Sequence, residues 1–197
     1  LSKMTSRGDR VAFNTAFVES VDARSGITTG ISAQDRCRTV QVLVDEASTQ
    51  QDLVTPGHMF PLEAMAGGVL RRAGHTEAAV DLARFAGSSP SGVICEVLSE
   101  DGSMARLPEL RKLADEHGLR MGSIADMIAY RRRREKLVEF VRSTDIPTDT
   151  GVFSLRLYRS LVDGEHHVAL VMGQPEQQDL SLVRVHSECL TGDVFGS

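Results

Sequence analysis

"GGVLRRAGHTEAAVDLARFAG" (residues 67–87) joins a glycine-bounded polar loop directly to an amphipathic helix. Ala79, Val80, Leu82, Ala83 and Ala86 fall broadly on one helical face, and Gly87 is placed to end the helix. Thr76 is placed to cap its start. Ahead of it, Arg72 offers a planar, always-charged donor fork, and Ala73 and Gly74 let a ligand approach the backbone. His75 can ligate a metal or carry a proton, and Thr76 adds a hydroxyl. Free amides at a helix start favour an anion, so the loop reads as a phosphate or metal site. The plain alternative is a capped helix with a surface Arg and His.

Other elements follow on both sides. "VAFNTAFVESVDA" (11–23) reads as a strand, "GITTGIS" as a turn, and Ser32 with Asp35 as a capping box opening a helix through "QDRCRTVQVLVDEA". "TPGHMFPLEA" reads as a Pro-Gly turn leading into an extended segment, and "SGVICEVL" (91–98) as a buried strand. "LPELRKLADEHG" is a helix with Pro108 in its first turn and Gly118 at its end. Ser123 and Asp126 cap a long helix through "IADMIAYRRRREKLVEFVR". Then "STDIPTDTG" reads as a linker, followed by the strands "VFSLRLYRSL", "EHHVALVMG" and "LSLVRVHSE" with an Asp163-Gly164 hairpin turn between the first two. The fold class is α+β (an α/β sandwich) over residues 1–136, with the β-rich start of a second domain over 137–197.

The 197 residues are 41% hydrophobic with a net charge of −5, which permits a core and argues against a general nucleic-acid binder. The arginine run at 131–134 therefore reads as a solvated helix end. No apolar run reaches about 18 residues, so no membrane span is expected. Three dispersed cysteines fit a reducing cytoplasm. The chain starts at Leu1 rather than Met and carries no signal peptide, which reads as a processed chain or a fragment.

Three further positions carry chemistry. Glu96 is a carboxylate in an apolar run, costly unless paired or used as an acid/base. His58 follows Pro56-Gly57 on a loop, where a turn histidine is the plain alternative. "RVHSEC" (184–189) gathers Arg, His, Glu and Cys, and Cys189 suits zinc although no CxxC completes a site. His166 and His167 are neighbours on a strand and face opposite ways, against a shared metal.

In order along the chain, "TTGISAQDR", "PGHMFPL", "GGVLRRAGHTEAAVDL", "GVICEVLSEDGSMAR" and "IADMIAYRRRRE" resemble the 3,4-dihydroxy-2-butanone 4-phosphate synthase family. Residues 137–197, ending in "RVHSECLTGDVFGS", resemble the start of GTP cyclohydrolase II, the order found in bifunctional riboflavin-pathway proteins. The resemblance implies conversion of D-ribulose 5-phosphate to 3,4-dihydroxy-2-butanone 4-phosphate and formate with Mg²⁺ or Mn²⁺. It implies Arg72, Ala73, Gly74, His75, Thr76 and Glu96 at the substrate, His75 on the metal, and His58 and Glu96 as catalytic residues. In the second half it implies GTP binding by Arg184, Val185, His186, Ser187 and Glu188, and zinc on Cys189. It also implies a homodimer. The family's acidic "DDEDRENEGD" segment, which supplies a substrate arginine and a metal carboxylate, has no counterpart here, and neither does the "RCDCG" that follows the cyclohydrolase start. The expectation is an internal fragment with neither half-site complete. Should such a chain still turn over, another carboxylate, Glu77 or Glu96, must complete the metal site; the alternative is a fold that binds a sugar phosphate or dimerises without turnover.

Overall fold

Ser32 opens helix α1 (Ala33–Val44) by accepting the Asp35 amide on its hydroxyl, 3.1 Å away. The box is only half made. The Asp35 carboxylate turns back to the Thr28 amide (3.0 Å), the Thr28 hydroxyl (2.8 Å) and the Gly30 amide (3.0 Å), and so folds the Thr28–Gly30 loop onto α1. One turn on, the fully buried Thr39 hydroxyl donates to the Asp35 carbonyl and accepts from the amide of Ala23. That bond seats α1 against the strands β2 (Val21–Ala23) and β3 (Leu53–Met59).

The computed structural model describes residues 1–2 and 16–195. Residues 11–15 of the expected first strand lie outside this range. The remainder of that strand is two short pieces rather than one. β1 (Ala16–Phe17) pairs antiparallel with β4 (Leu62–Glu63), and β2 pairs antiparallel with β3. The chain divides into two compact units, Leu1–Lys136 and Leu137–Ser197.

Pro56-Gly57 is part of β3, not a turn. Val21 pairs with Met59 while Asp22 pairs with Val54, so Thr55–His58 bulges out of the ladder. Pro56 has no amide to lose there, and the Gly57 amide donates to the Ser20 carbonyl at 3.0 Å. A Cβ on Gly57 would lie 2.0 Å from the Val21 carbonyl carbon, so only glycine lets the bulge close on β2.

Helix α2 (His75–Phe85) starts two residues earlier than Thr76 capping implies, with Gly74 at the N-cap. It ends as expected. Gly87 is left-handed, its amide reaches the Arg84 carbonyl and the Ser88 amide reaches that of Ala83. Helix α3 (Leu107–His117) carries Pro108 in its first turn and stops at a left-handed Gly118. Helix α4 (Ile124–Arg134) has Ser123 at its cap but stops well before Arg142. The Glu135 backbone is extended, and the alternating "VEFV" that follows suits a strand. "SGVICEVL" forms no strand. Apart from one bridge from Leu98 to Met104 it stays unpaired, and Val93, Ile94 and Leu98 are exposed. An apolar run becomes a buried strand only where a neighbouring strand accepts its backbone, and none among the described residues does so.

The second unit is an antiparallel meander of β5 (Val138–Thr148), β6 (Gly151–Ser160) and β7 (His166–Val171), followed by a short helix α5 (Leu190–Phe195). The expected linker "STDIPTDTG" is mostly strand, with Pro147 opposite Val152 on an edge where a missing amide is tolerated. The Asp163-Gly164 turn forms, closed by Ser160 and Glu165, with Gly164 at φ +77°. His166 and His167 pair with Arg159 and Tyr158 on opposite faces. "LSLVRVHSE" is not a strand, and Leu180, Leu182 and Val185 stand almost fully exposed.

The Asp35 contacts set a pH dependence. The Thr28 hydroxyl and amide hold the Asp35 carboxyl below its ordinary value of 3.8. A carboxyl lowered by folding adds stability above the ordinary carboxylate range, and that contribution is lost as pH falls through the lowered value. Asp35→Asn should therefore lower the melting temperature at neutral pH, and the gap to the wild-type protein should close in strong acid. Thermal melts of both proteins across pH check this, and a gap that stays constant in acid contradicts it.

Candidate functional site

Two side chains of α2 organise the loop in front of it. Glu77 and Asp81 lie one turn apart and are only 1% and 2% exposed. Glu77 accepts the Met65 amide at 2.9 Å on one oxygen and the Arg72 guanidinium at 2.7 Å on the other. Asp81 accepts the Val69 amide at 2.9 Å and Arg131 of α4 at 2.9 Å. Gly67 and Gly68 both have positive φ, and a Cβ on Gly68 would sit 2.3 Å from the Asp81 carboxylate. The loop thus hangs on buried carboxylates, and arginines supply the charge that burial demands.

This geometry redraws several expectations. Arg72 is tied into a pair with a buried acid, so it shapes the loop whatever else it holds. Glu77 has both oxygens engaged and is not a spare metal ligand. Gly74 lies over the Arg72–Glu77 pair, where a Cβ would be 2.4 Å from the guanidinium. His75 is the first residue of α2 and is exposed, with Thr76 half-buried behind it. Gly74 has no side chain to cap with, so the first amides of α2 receive no side-chain acceptor.

Across the unit, the β3 bulge presents His58. Its backbone amide donates to one oxygen of Asp22 at 3.0 Å, and its Nδ1 meets the other at 2.7 Å. Asp22 is 5% exposed, whereas the His58 side chain is 42% exposed. A carboxylate accepts, so Nδ1 carries a proton, and in the neutral ring the lone pair sits on Nε2. Gly30 closes over this pair at φ +89°, where a Cβ would fall 2.4 Å from Asp22 and 2.7 Å from His58 Nδ1. The Gly30 amide is in turn held by Asp35. Asp22 is the residue sequence reading missed. An acid between the apolar residues Val21 and Ala23 of "SVDA" is costly unless paired, the argument applied above to Glu96. The structure reverses the two, since Asp22 is buried and paired while Glu96 is exposed.

A cavity of about 580 Å³ lies among α1, β3, β4 and α2. Its walls include Met59 beside His58, Thr76 beside His75, and Ile94 two residues before Glu96. Thr76 lines the cavity, whereas His58, His75 and Glu96 are not among its walls, and no hydrogen bond or ion pair joins those three among the described residues. Those residues also contain no group of three His, Cys, Asp or Glu able to hold a metal ion.

In the second unit, Arg184, Val185, His186, Ser187, Glu188 and Cys189 form an exposed, irregular segment. His186 Nε2 meets the Asp193 carboxylate at 2.9 Å, and the same carboxylate accepts the Cys189 amide at 2.8 Å. The Thr191 hydroxyl beside Cys189 holds its thiol below its ordinary value. No helix of the described residues is long and apolar enough to cross a membrane.

Residues 1–130 match the family model of 3,4-dihydroxy-2-butanone 4-phosphate synthase, and residues 139–197 match that of GTP cyclohydrolase II. A chloroplastic bifunctional riboflavin biosynthesis protein of Arabidopsis thaliana is 55% identical over 93% of this chain and 34% of its own length. The riboflavin biosynthesis protein RibBA of Aquifex aeolicus is 55% identical over 93% of this chain and 46% of its own length. The chain thus spans less than half of either relative. Among solved structures, a two-domain 3,4-dihydroxy-2-butanone 4-phosphate synthase from A. baumannii superposes with a TM-score of 0.78 at 45% identity, covering 89% of this chain and 52% of that one. A 3,4-dihydroxy-2-butanone 4-phosphate synthase in complex with two magnesium ions gives a TM-score of 0.59 at 36% identity, covering 68% of this chain and 67% of that one.

Arg72→Ala strands the buried Glu77 carboxylate and should cost about 3 kcal/mol of unfolding free energy in urea titrations. A cost below about 1 kcal/mol, the range of exposed pairs, would show that the loop does not depend on this bond.

Proposed function

The chain belongs to the 3,4-dihydroxy-2-butanone 4-phosphate synthase family, and from that premise we propose that it converts D-ribulose 5-phosphate to 3,4-dihydroxy-2-butanone 4-phosphate and formate. The observation that carries this reading is the Asp22–His58 pair, a half-exposed imidazole held by a buried carboxylate in the same compact unit as Arg72–Thr76 and Glu96.

Enolising a ketose phosphate requires a base at the carbon next to the carbonyl. His58 Nε2 takes that proton, and the buried Asp22 carboxylate stabilises the imidazolium while fixing the ring. Later steps return and remove protons, which a second acid/base shares, and Glu96 is that group. The uncapped amides at the start of α2 hold the anionic end of the substrate, with Ala73 and Gly74 giving close approach and Arg72 and Thr76 flanking them.

In this family a divalent cation supplies charge stabilisation of the developing enediolate. His75 is the proposed ligand for Mg²⁺ or Mn²⁺. Among the described residues no group of three His, Cys, Asp or Glu includes His75. In the second unit, Arg184–Glu188 are the proposed start of a GTP-binding segment and Cys189 a proposed zinc ligand, again without a donor trio around it. A cytoplasmic homodimer completes the proposal, and the exposed Val93, Ile94 and Leu98 support burial against a second copy.

Formate release from D-ribulose 5-phosphate with Mg²⁺ tests the reading. Glu96→Gln should abolish turnover while leaving the substrate bound. Asp22→Asn should lower kcat by about a hundredfold or more with little change in KM. Formate release unaffected by either substitution sinks the assignment, and sugar phosphate bound by the wild-type chain without formate would point to binding alone.

A further inference from the structure

The arginine run at 131–134 takes no part in the chemistry above, and its first member is not on the surface. Arg132, Arg133 and Arg134 are exposed, while the Arg131 side chain is 13% exposed and every one of its nitrogens is engaged. Nη1 donates to the Gly67 carbonyl at 2.8 Å and to Asp81 at 2.9 Å. Nε and Nη2 form a fork on Glu135, at 2.6 and 2.7 Å. A fork held from one side presents the remaining nitrogen in a fixed direction, which a flexible lysine head cannot do.

That nitrogen is aimed at the turn from which the Arg72–Thr76 segment starts. The Gly68 carbonyl accepts the amides of Arg71 and Arg72, at 2.9 and 3.1 Å. The Val69 amide is held by the same Asp81 oxygen that Arg131 contacts. A peptide with two consecutive positive-φ glycines is intrinsically free, so its conformation must be imposed from outside. Here α4 imposes it through the Gly67 carbonyl, and α2 through Asp81.

We propose that Arg131 is a positioning residue for the Arg72–Thr76 segment, fixing the Gly67–Leu70 turn and through it the affinity for a sugar phosphate. The second half of this statement rests on the functional reading above, and the first half does not. Glu135 is the orienting partner, since without its fork the guanidinium can rotate away from Gly67.

The test uses the full chain and the substitutions Arg131→Gln, Arg131→Lys and Arg132→Gln, the last removing the same charge from an exposed neighbour. Amide hydrogen exchange is followed over residues 67–76, with α1 as the internal reference, and D-ribulose 5-phosphate binding is titrated in parallel. Arg131→Gln should speed exchange over 67–76 by about tenfold, the loss expected for a charge-assisted bond to a buried acid, and leave α1 unchanged. It should weaken sugar-phosphate binding by a similar factor, with Arg131→Lys intermediate and Arg132→Gln indistinguishable from wild type. Equal acceleration in α1 and in 67–76 overturns the proposal, because Arg131 would then only hold the unit together. So does unchanged exchange over 67–76, or an equal effect of Arg132→Gln. If the wild-type chain does not bind D-ribulose 5-phosphate, the functional reading fails, and the exchange measurement still decides whether Arg131 orders the segment.

Discussion

A buried carboxylate must be fed with hydrogen bonds, and this protein uses that demand to shape its loops. Glu77 and Asp81, stacked one turn apart on α2, collect the Met65 and Val69 amides together with hydrogen bonds from Arg72 and Arg131 respectively. Asp35 does the same for the Thr28–Gly30 loop, and Asp22 for the β3 bulge. Among the described residues of the first unit the buried hydrophobic side chains include Val21, Ala23, Val42, Val69 and Ala78. Hydrocarbon packing holds the helices to the strands, but directed bonds to acids decide where the loops between them go.

These anchors are linked through glycine. Asp35 holds the Gly30 amide, and Gly30 leaves no room between itself and the Asp22–His58 pair. Gly57 closes the bulge onto β2, so that His58 arrives with both its amide and its ring on one carboxylate. A side chain at Gly30 would collide with the imidazole and its carboxylate, and one at Gly57 would displace the imidazole by pushing the bulge off β2. The geometry of one reactive group is thus set by residues that carry no chemistry.

What was legible in the sequence had its cause nearby. Ser32, Ser123, Gly87 and Gly118 mark helix ends because a cap satisfies amides or carbonyls within the next turn. The Asp163-Gly164 hairpin is local for the same reason. What was not legible depended on distant partners. "GVICEVL" and "LSLVRV" have strand composition but no strand beside them among the described residues. Asp22 and Glu96 look alike in sequence, and only the fold shows that one faces a histidine and the other faces water. In the run 131–134, four identical side chains separate into one half-buried clamp and three exposed heads, a distinction set by helical phase against α2.

The bulge in β3 has a consequence for how the chain can vary. One step along β2 is matched by five along β3, so Thr55–His58 works as a spacer whose length, together with Gly57, sets where the imidazole lands. Losing or gaining a residue there would put a different side chain opposite Asp22 and swap the faces of everything beyond it. Among related chains, insertions and deletions should be excluded from residues 53–59 even where individual side chains drift.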